Sequence, residues 1–267
     1  MTPTRLCWLG QSGFLIEIGG AQVLVDAFLA PHPSRQVVSE LPSGVDSCLD
    51  VIACTHEHLD HLDKDWVPRL CASSPDAVVV VPEPIVDIVV GLGVARARVL
   101  GMQPGSPVEV AGIEIHAVPA MHGVHPTDAY SFGQDSSDGE LFRFLGFVFQ
   151  GGGVSIYHAG DTIPYDGLAA RLRELRVDVA LLPINGRDAR REALDIVGNL
   201  DAGEAAELAI DADVDAVVPM HYDMFAENPG DPALLVSAVQ RLGGEVTVVV
   251  PARGRPFIYS RHDPTET

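Results

Sequence analysis

The segment Thr55-His56-Glu57-His58-Leu59-Asp60-His61 places four imidazole or carboxylate ligands, His56, His58, Asp60 and His61, within six residues. It follows the apolar run 51–54 directly. A loop leaving a strand end aims alternate side chains at one point, so His56 and His58 can share a metal ion. Asp60 and His61 can then reach a second ion beside it. Imidazole nitrogen with carboxylate oxygen suits zinc, manganese or iron, and thiolate is absent from the segment. Three further ligands stand just past other apolar runs: His122 in VPAMHG, Asp161 in YHAGDT and His221 in VPMHYDMF. Rigid strands that end in loops are where functional side chains concentrate. The seven residues suffice for two ions. Two ions about 3.5–4 Å apart can hold a shared water and lower its pKa, giving a nucleophile for a carbonyl carbon or phosphorus. Asp60 and His221 are the candidate catalytic pair. Asp60 can take a proton from the nucleophile or pass one to the leaving group. Asp26, in VLVDAFL, is read as orienting the HEHLDH loop by hydrogen bonds.

These residues need strands to carry them. β-rich runs are expected over 14–18, 22–26, 51–54, 77–81 and 113–118, then over 142–150, 154–157, 179–182, 216–218 and 246–250. Gly19-Gly20 makes the first two a hairpin. A helix is predicted over 166–176 from the spacing of Leu168, Leu172 and Leu175. Another is predicted over 202–212, opened by Asp201 with Glu204 as a capping box. A third starts at Asp231-Pro232 and stops at Gly243. Hairpins first and alternating helices later point to two mixed sheets packed together with helices outside, as one domain over 1–267.

Composition narrows the partners. The chain has 267 residues, 47% of them hydrophobic, and a formal charge of −20. That charge repels phosphate backbones and anionic membrane surfaces, so nucleic-acid and membrane partners are not expected. Four scattered cysteines without a C-x-x-C pair read as reduced thiols. No signal peptide or membrane-length apolar run is visible, which makes the cytoplasm the default.

HEHLDH, His122, the GDT containing Asp161, and His221 together resemble the metallo-β-lactamase superfamily. The motif order matches over nearly the whole chain. The resemblance implies an α+β fold, a four-layer αββα sandwich with a dinuclear site at one edge. It also implies two divalent metal ions (Zn, Mn or Fe). By the same resemblance His56, His58 and His122 hold one ion, Asp60, His61 and His221 hold the other, and Asp161 bridges them. Flavodiiron oxidoreductases place Glu where this chain has His58, and the commonest zinc β-lactamases use a Cys ligand absent here. A narrower likeness, to the L-ascorbate-6-phosphate lactonase branch, rests on residues 183–188, Gly198-Asn199, Glu204-Ala205 and 221–232, with WLGQSGFLIEI and VLVDAFL at the start. It implies opening of a lactone or related ester carrying an anionic group, although the chain is shorter than that lactonase. It also allows a homo-oligomer. Phosphodiester hydrolysis of a small molecule or lipid is the alternative reaction, and a metal-bound sensor or binding protein the non-enzymatic one.

Residues 187–191 concentrate three of the 17 basic side chains. Arginine forks bind phosphate or carboxylate in bidentate fashion, so Arg187, with Asn185 beside it, is expected to hold the substrate. Asp188 and other neighbouring acids offer the plainer alternative of a salt-bridged surface loop. His116 and His158 are expected to be structural, and His32 and His262 to lie at the surface. The polar loop 123–140 brings His125 as a further donor and Tyr130 and Phe132 as lid residues. Asp223 is a candidate for orienting substrate or His221.

Overall fold

The computed structural model describes residues 3–122, 141–193 and 198–261. The strands are β1 (Thr4–Gly10), β2 (Gly13–Ile18), β3 (Ala21–Val25), β4 (Val51–Ala53), β5 (Val78–Pro82), β6 (Val99–Met102) and β7 (Val108–Val110). They continue as β8 (Ile113–Pro119), β9 (Leu145–Gly151), β10 (Val154–His158), β11 (Val179–Pro183), β12 (Ala216–Met220), β13 (Thr247–Val248) and β14 (Pro256–Tyr259). The helices are α1 (Trp66–Ser73), α2 (Val86–Gly91), α3 (Leu168–Glu174), α4 (Ala189–Glu192), α5 (Ala202–Asp211) and α6 (Pro232–Leu242).

Two seven-stranded sheets result, ordered β14-β1-β2-β3-β4-β5-β6 and β13-β12-β11-β10-β9-β8-β7. Each is antiparallel at one end and parallel at the other, the change falling at β3 in the first and at β10 in the second. Local sequence explains the change. The Gly19-Gly20 and Gly152-Gly153 turns have positive φ at both positions, which tight hairpins of this twist require. Parallel neighbours need long crossovers instead; the loop 26–50 makes the one from β3 to β4, and α-helices supply the others.

Side-chain alternation sorts the residues into layers. In β1, Leu6 and Trp8 join the cluster between the sheets, whereas Cys7 and Leu9 face outward. The outward face of the first sheet packs on Val67, Leu70 and Cys71 of α1 and on Val86 and Val89 of α2. The second sheet is covered by Leu168 and Leu172 of α3, Ala205, Ala206 and Ala209 of α5, and Leu235 and Val239 of α6. The architecture is therefore α+β, with two mixed sheets face to face and helices outside. Each fully buried aliphatic side chain contributes about 1.5–3 kcal/mol to holding the layers together. Among the described residues no helix is long and apolar enough to cross a membrane. Cys7, Cys54 and Cys71 are buried free thiols, and Cys48 is an exposed one.

Some elements differ from those expected. β1 was not predicted because six of its seven residues are buried, which erases the alternation that marks a half-exposed strand. α1 was not expected because its N-cap residue, Asp65, makes no side-chain cap bond; Asp63, two positions earlier, accepts the amides of Asp65 and Trp66 instead. β9 starts at Leu145 rather than 142, because the backbone of Phe142 is bonded to the side-chain amide of Gln103 instead of a strand. The capping box of α5 is present with both of its bonds.

One edge of the sandwich collects the loops that carry the candidate ligands. Asp26 follows β3, the HEHLDH segment follows β4, His122 follows β8, Asp161 follows β10 and His221 follows β12. The β1–β2 turn, with Gln11, joins the same edge through its pairing with β3.

Candidate metal centre

Seven side chains from four strand ends converge. His56, His58 and His122 bring one nitrogen each within 4.8 Å of one another, and so do the ligand atoms of Asp60, His61 and His221. A third group, His56, His61 and Asp161, ties the two together. Asp161 lies between the halves. Its Oδ1 is 3.4 Å from His61 Nε2, and its Oδ2 is 3.6 Å from His122 Nε2 and 3.2 Å from His221 Nε2.

Hydrogen bonds behind the rings fix their direction. Asp26 accepts from Thr55 N at 2.8 Å, from Thr55 Oγ1 at 2.6 Å and from His61 Nδ1 at 2.7 Å. His122 Nδ1 donates to the Gly198 carbonyl at 3.2 Å. A ring that gives its Nδ1 proton to such a partner presents Nε2 inward as a lone pair, as metal-ligating histidines do. His61 Nε2 and Asp161 Oδ1 are buried and make no hydrogen bond. Buried polar atoms are ordinarily hydrogen-bonded, whereas these two have only each other at 3.4 Å, an arrangement that a cation between them would satisfy.

The two halves differ in charge. Burial pushes His122 down to about 4 and lowers His56 and His58 as well, leaving three neutral imidazoles. Burial opposes the charged form of His221 too, but Asp161 and Asp60 outweigh it and hold that ring up at about 9. His61 is raised in the same way by Asp161, Asp26 and Asp60. Against their own burial, Asp60 and Asp161 are held below the usual carboxylate range by His61 and His221. Acceptor lone pairs line one half, and imidazolium–carboxylate pairs fill the other.

Residues 21–222 match the family described as the beta-lactamase superfamily domain. The chain belongs to the metallo-β-lactamase superfamily. A UPF0173 metal-dependent hydrolase of Methanopyrus kandleri is 32% identical over 260 residues, covering 95% of this chain and 99% of its own. A metallo hydrolase from Ignicoccus hospitalis has the same fold at a TM-score of 0.74 and 22% identity, covering 98% of this chain and all 100% of its own. An isothiocyanate hydrolase from Delia radicum gut bacteria also reaches 0.74, at 17% identity, covering 96% and 100%.

Within this superfamily member two arginines of the basic window, Arg187 and Arg191, are bonded to protein groups. Arg187 Nη1 donates to Glu204 Oε2 at 2.7 Å and to Asn199 O at 3.0 Å, and Nη2 bonds Glu204 Oε1. The anion contact expected of its fork is made with Glu204, the same residue that closes the capping box of α5. Arg191 bonds Asp188 at 2.7 Å and Asn228. Asn185 is buried between Asn199 and Asn228, at 3.0 and 2.6 Å, and spends its amide on them. The network closes around Gly198, whose φ is 74° and whose hypothetical Cβ would lie 2.6 Å from Gly186 O. Only glycine can bring the Gly198 carbonyl to His122 in this way.

His158 stands behind the centre, donating from Nε2 to Ser12 O at 2.7 Å. His116 lies in β8 against Gln150. His32 is half-buried beside Phe28 and Phe225 rather than at the open surface. Asp223 accepts from Gln11 N at 3.1 Å and pairs with Arg253. His125, Tyr130, Phe132 and His262 lie outside the described residues.

Two contributors were not singled out from sequence. Asp63 accepts four backbone amides, those of Leu29, Ala30, Asp65 and Trp66, and so anchors the loop beyond Asp26 to the end of the HEHLDH segment. Gln11 reaches Asp60 Oδ2 at 2.7 Å. The signal for Gln11 was a polar residue interrupting an apolar run at a turn.

Proposed function

We propose that this chain is a dinuclear metal-dependent hydrolase that opens a lactone or a related ester. His56, His58 and His122 would hold one divalent ion and Asp60, His61 and His221 the other, with Asp161 within reach of both sets. Ions held there supply Lewis acidity and lower the pKa of water. The observation that carries the reading is the pair of buried orphan atoms, His61 Nε2 and Asp161 Oδ1, at the junction of the two ligand sets. The hydrolase naming of the Methanopyrus relative supports it independently.

The chain's own residues divide the work. Asp60 is the more open carboxylate of the cluster, 19% exposed against 6% for Asp161, and so is placed to accept a proton from an attacking water and return it to the leaving group. His221, 3.4 Å from Asp60, orients that carboxylate. Asp26 locks the His61 ring. Leu59, between His58 and Asp60, stands 45% exposed and offers an apolar surface to an uncharged acyl chain. With Arg187 and Arg191 engaged by protein acceptors, the proposal is an ester or lactone without a required phosphate.

The lactonase-like segments support the ester class in one respect: Asn185, Arg187, Asn199 and Glu204 form a single bonded wall beside His122. The test is a panel of lactones and carboxylic esters assayed beside bis-(4-nitrophenyl) phosphate, with metal-loaded protein. Faster turnover of the phosphodiester than of every ester would replace this reading by phosphodiester hydrolysis.

A further inference from the structure

Gln11 is buried in the β1–β2 turn at a φ of 51°. Glutamine rarely takes left-handed backbone, and such residues persist where their surroundings over-determine them. Here the surroundings are the centre itself. Gln11 O accepts from His221 N at 2.9 Å and from Trp8 Nε1 at 3.0 Å. Gln11 N donates to Asp223 Oδ1 at 3.1 Å, and Arg253 holds the other oxygen of Asp223. The backbone on either side of the amide is thereby tied to the His221 loop.

The side chain then points at one half of the centre. Gln11 Nε2 donates to Asp60 Oδ2 at 2.7 Å and lies 3.0 Å from His221 Nε2. A carboxylate only accepts, so this bond fixes which end of the amide faces the ligands. The hydrogen bonds of Gln11 reach none of His56, His58 and His122. Ligating carboxylates are themselves held by such partners, whose removal costs about 10–100-fold in metal affinity.

Resting on the two-ion reading above, we propose that Gln11 is a positioning residue for the Asp60–His61–His221 half alone. It holds the Asp60 carboxylate against the His221 ring and so sets how tightly that half binds a divalent ion. The strained turn is the means by which one amide is delivered from the β1–β2 hairpin to Asp60.

Gln11→Met keeps the side-chain length and removes the donor, and Gln11→Ala serves as a second variant. Both are compared with wild type by manganese binding in equilibrium dialysis and by the spin-coupled manganese signal in electron paramagnetic resonance. Metal-free melting temperatures show that the variants fold. Two equivalents on wild type, with one equivalent retained and the second weakened about 10–100-fold in the variants, is the expected result. The coupled signal should disappear at limiting manganese. Two equivalents with wild-type affinity in both variants overturns the inference and leaves the two-ion reading standing. Equal weakening of both equivalents in folded variants overturns it too. Fewer than two equivalents on wild type overturns the two-ion reading, and the inference with it.

Discussion

Asp26 Oδ2 lies 2.7 Å from His61 Nδ1, with both side chains excluded from solvent. The carboxylate sits at a residue whose φ is 45°, directly past β3, and it also takes both donors of Thr55. One side chain therefore fixes the start of the HEHLDH segment and the tautomer of a ring near its end. Replacing Asp26 by Asn leaves the shape but sets an amide donor, or a weaker acceptor, against the ring N–H. The expected outcome is metal affinity lowered by about 10–100-fold with the fold intact. Competition with a chromogenic chelator measures it.

Asp161 and His58 should separate by how much of the centre each removes. Asp161 reaches ligand atoms of both halves, so Asp161→Ala is expected to lose both equivalents of metal and all activity. His58 serves one half, so His58→Ala should lose one equivalent, with activity falling together with it. Elemental analysis after dialysis, paired with an ester assay, reads both. Full activity in both variants would show the site to be misassigned.

The charge difference between the halves predicts a pH dependence. His221 is raised to about 9 and His61 is raised as well, so in the metal-free protein both are protonated at neutral pH. A ligating imidazole must be neutral, so binding there expels protons, whereas His56, His58 and His122 have none to lose. Loading the centre at pH 7 should release protons, and affinity should rise with pH as His221 titrates toward about 9. Calorimetric titration in buffers of different ionisation enthalpy counts them. The same shifts bear on stability: in metal-free protein the stabilisation from His221 is fully present below its unfolded pKa of about 6.5 and is lost as pH rises through about 9.

Arg187→Ala should act on stability rather than on substrate choice. It removes a bidentate bond to Glu204 and the tie to Asn199 O, so a loss of about 1–3 kcal/mol is expected in denaturant unfolding. KM for anionic and neutral esters should change by the same factor. A selective rise for the anionic ester would restore the role that the basic window suggests in sequence.

The metal-ligand candidates were legible because chemistry at strand ends leaves dense, type-specific marks. Four ligands in six residues need no structure to be noticed, and His122, Asp161 and His221 each follow a buried strand. Helices α5 and α6 were equally plain, since Asp201, Glu204 and Asp231 cap them locally. What was hidden depends on distant contacts. The partner of Arg187 is Glu204, 17 positions on, whereas the nearer acids suggested a local pair. Gln11 gains its meaning from Asp60 and His221, 49 and 210 positions away. Asp63 looks like a loop residue until four amides from two segments are seen to point at it. Spacing reveals what neighbours do together, and it is silent on partners that only folding supplies.

In the proposed function two ions held by this cluster drive ester or lactone hydrolysis. Its most direct test is to strip the protein of metal, then follow hydrolysis of a lactone and ester panel while zinc or manganese is returned stepwise. Activity should be near zero without metal and reach its plateau at about two equivalents per chain. A fully loaded protein inactive on the whole panel, or one equally active after stripping, would contradict it.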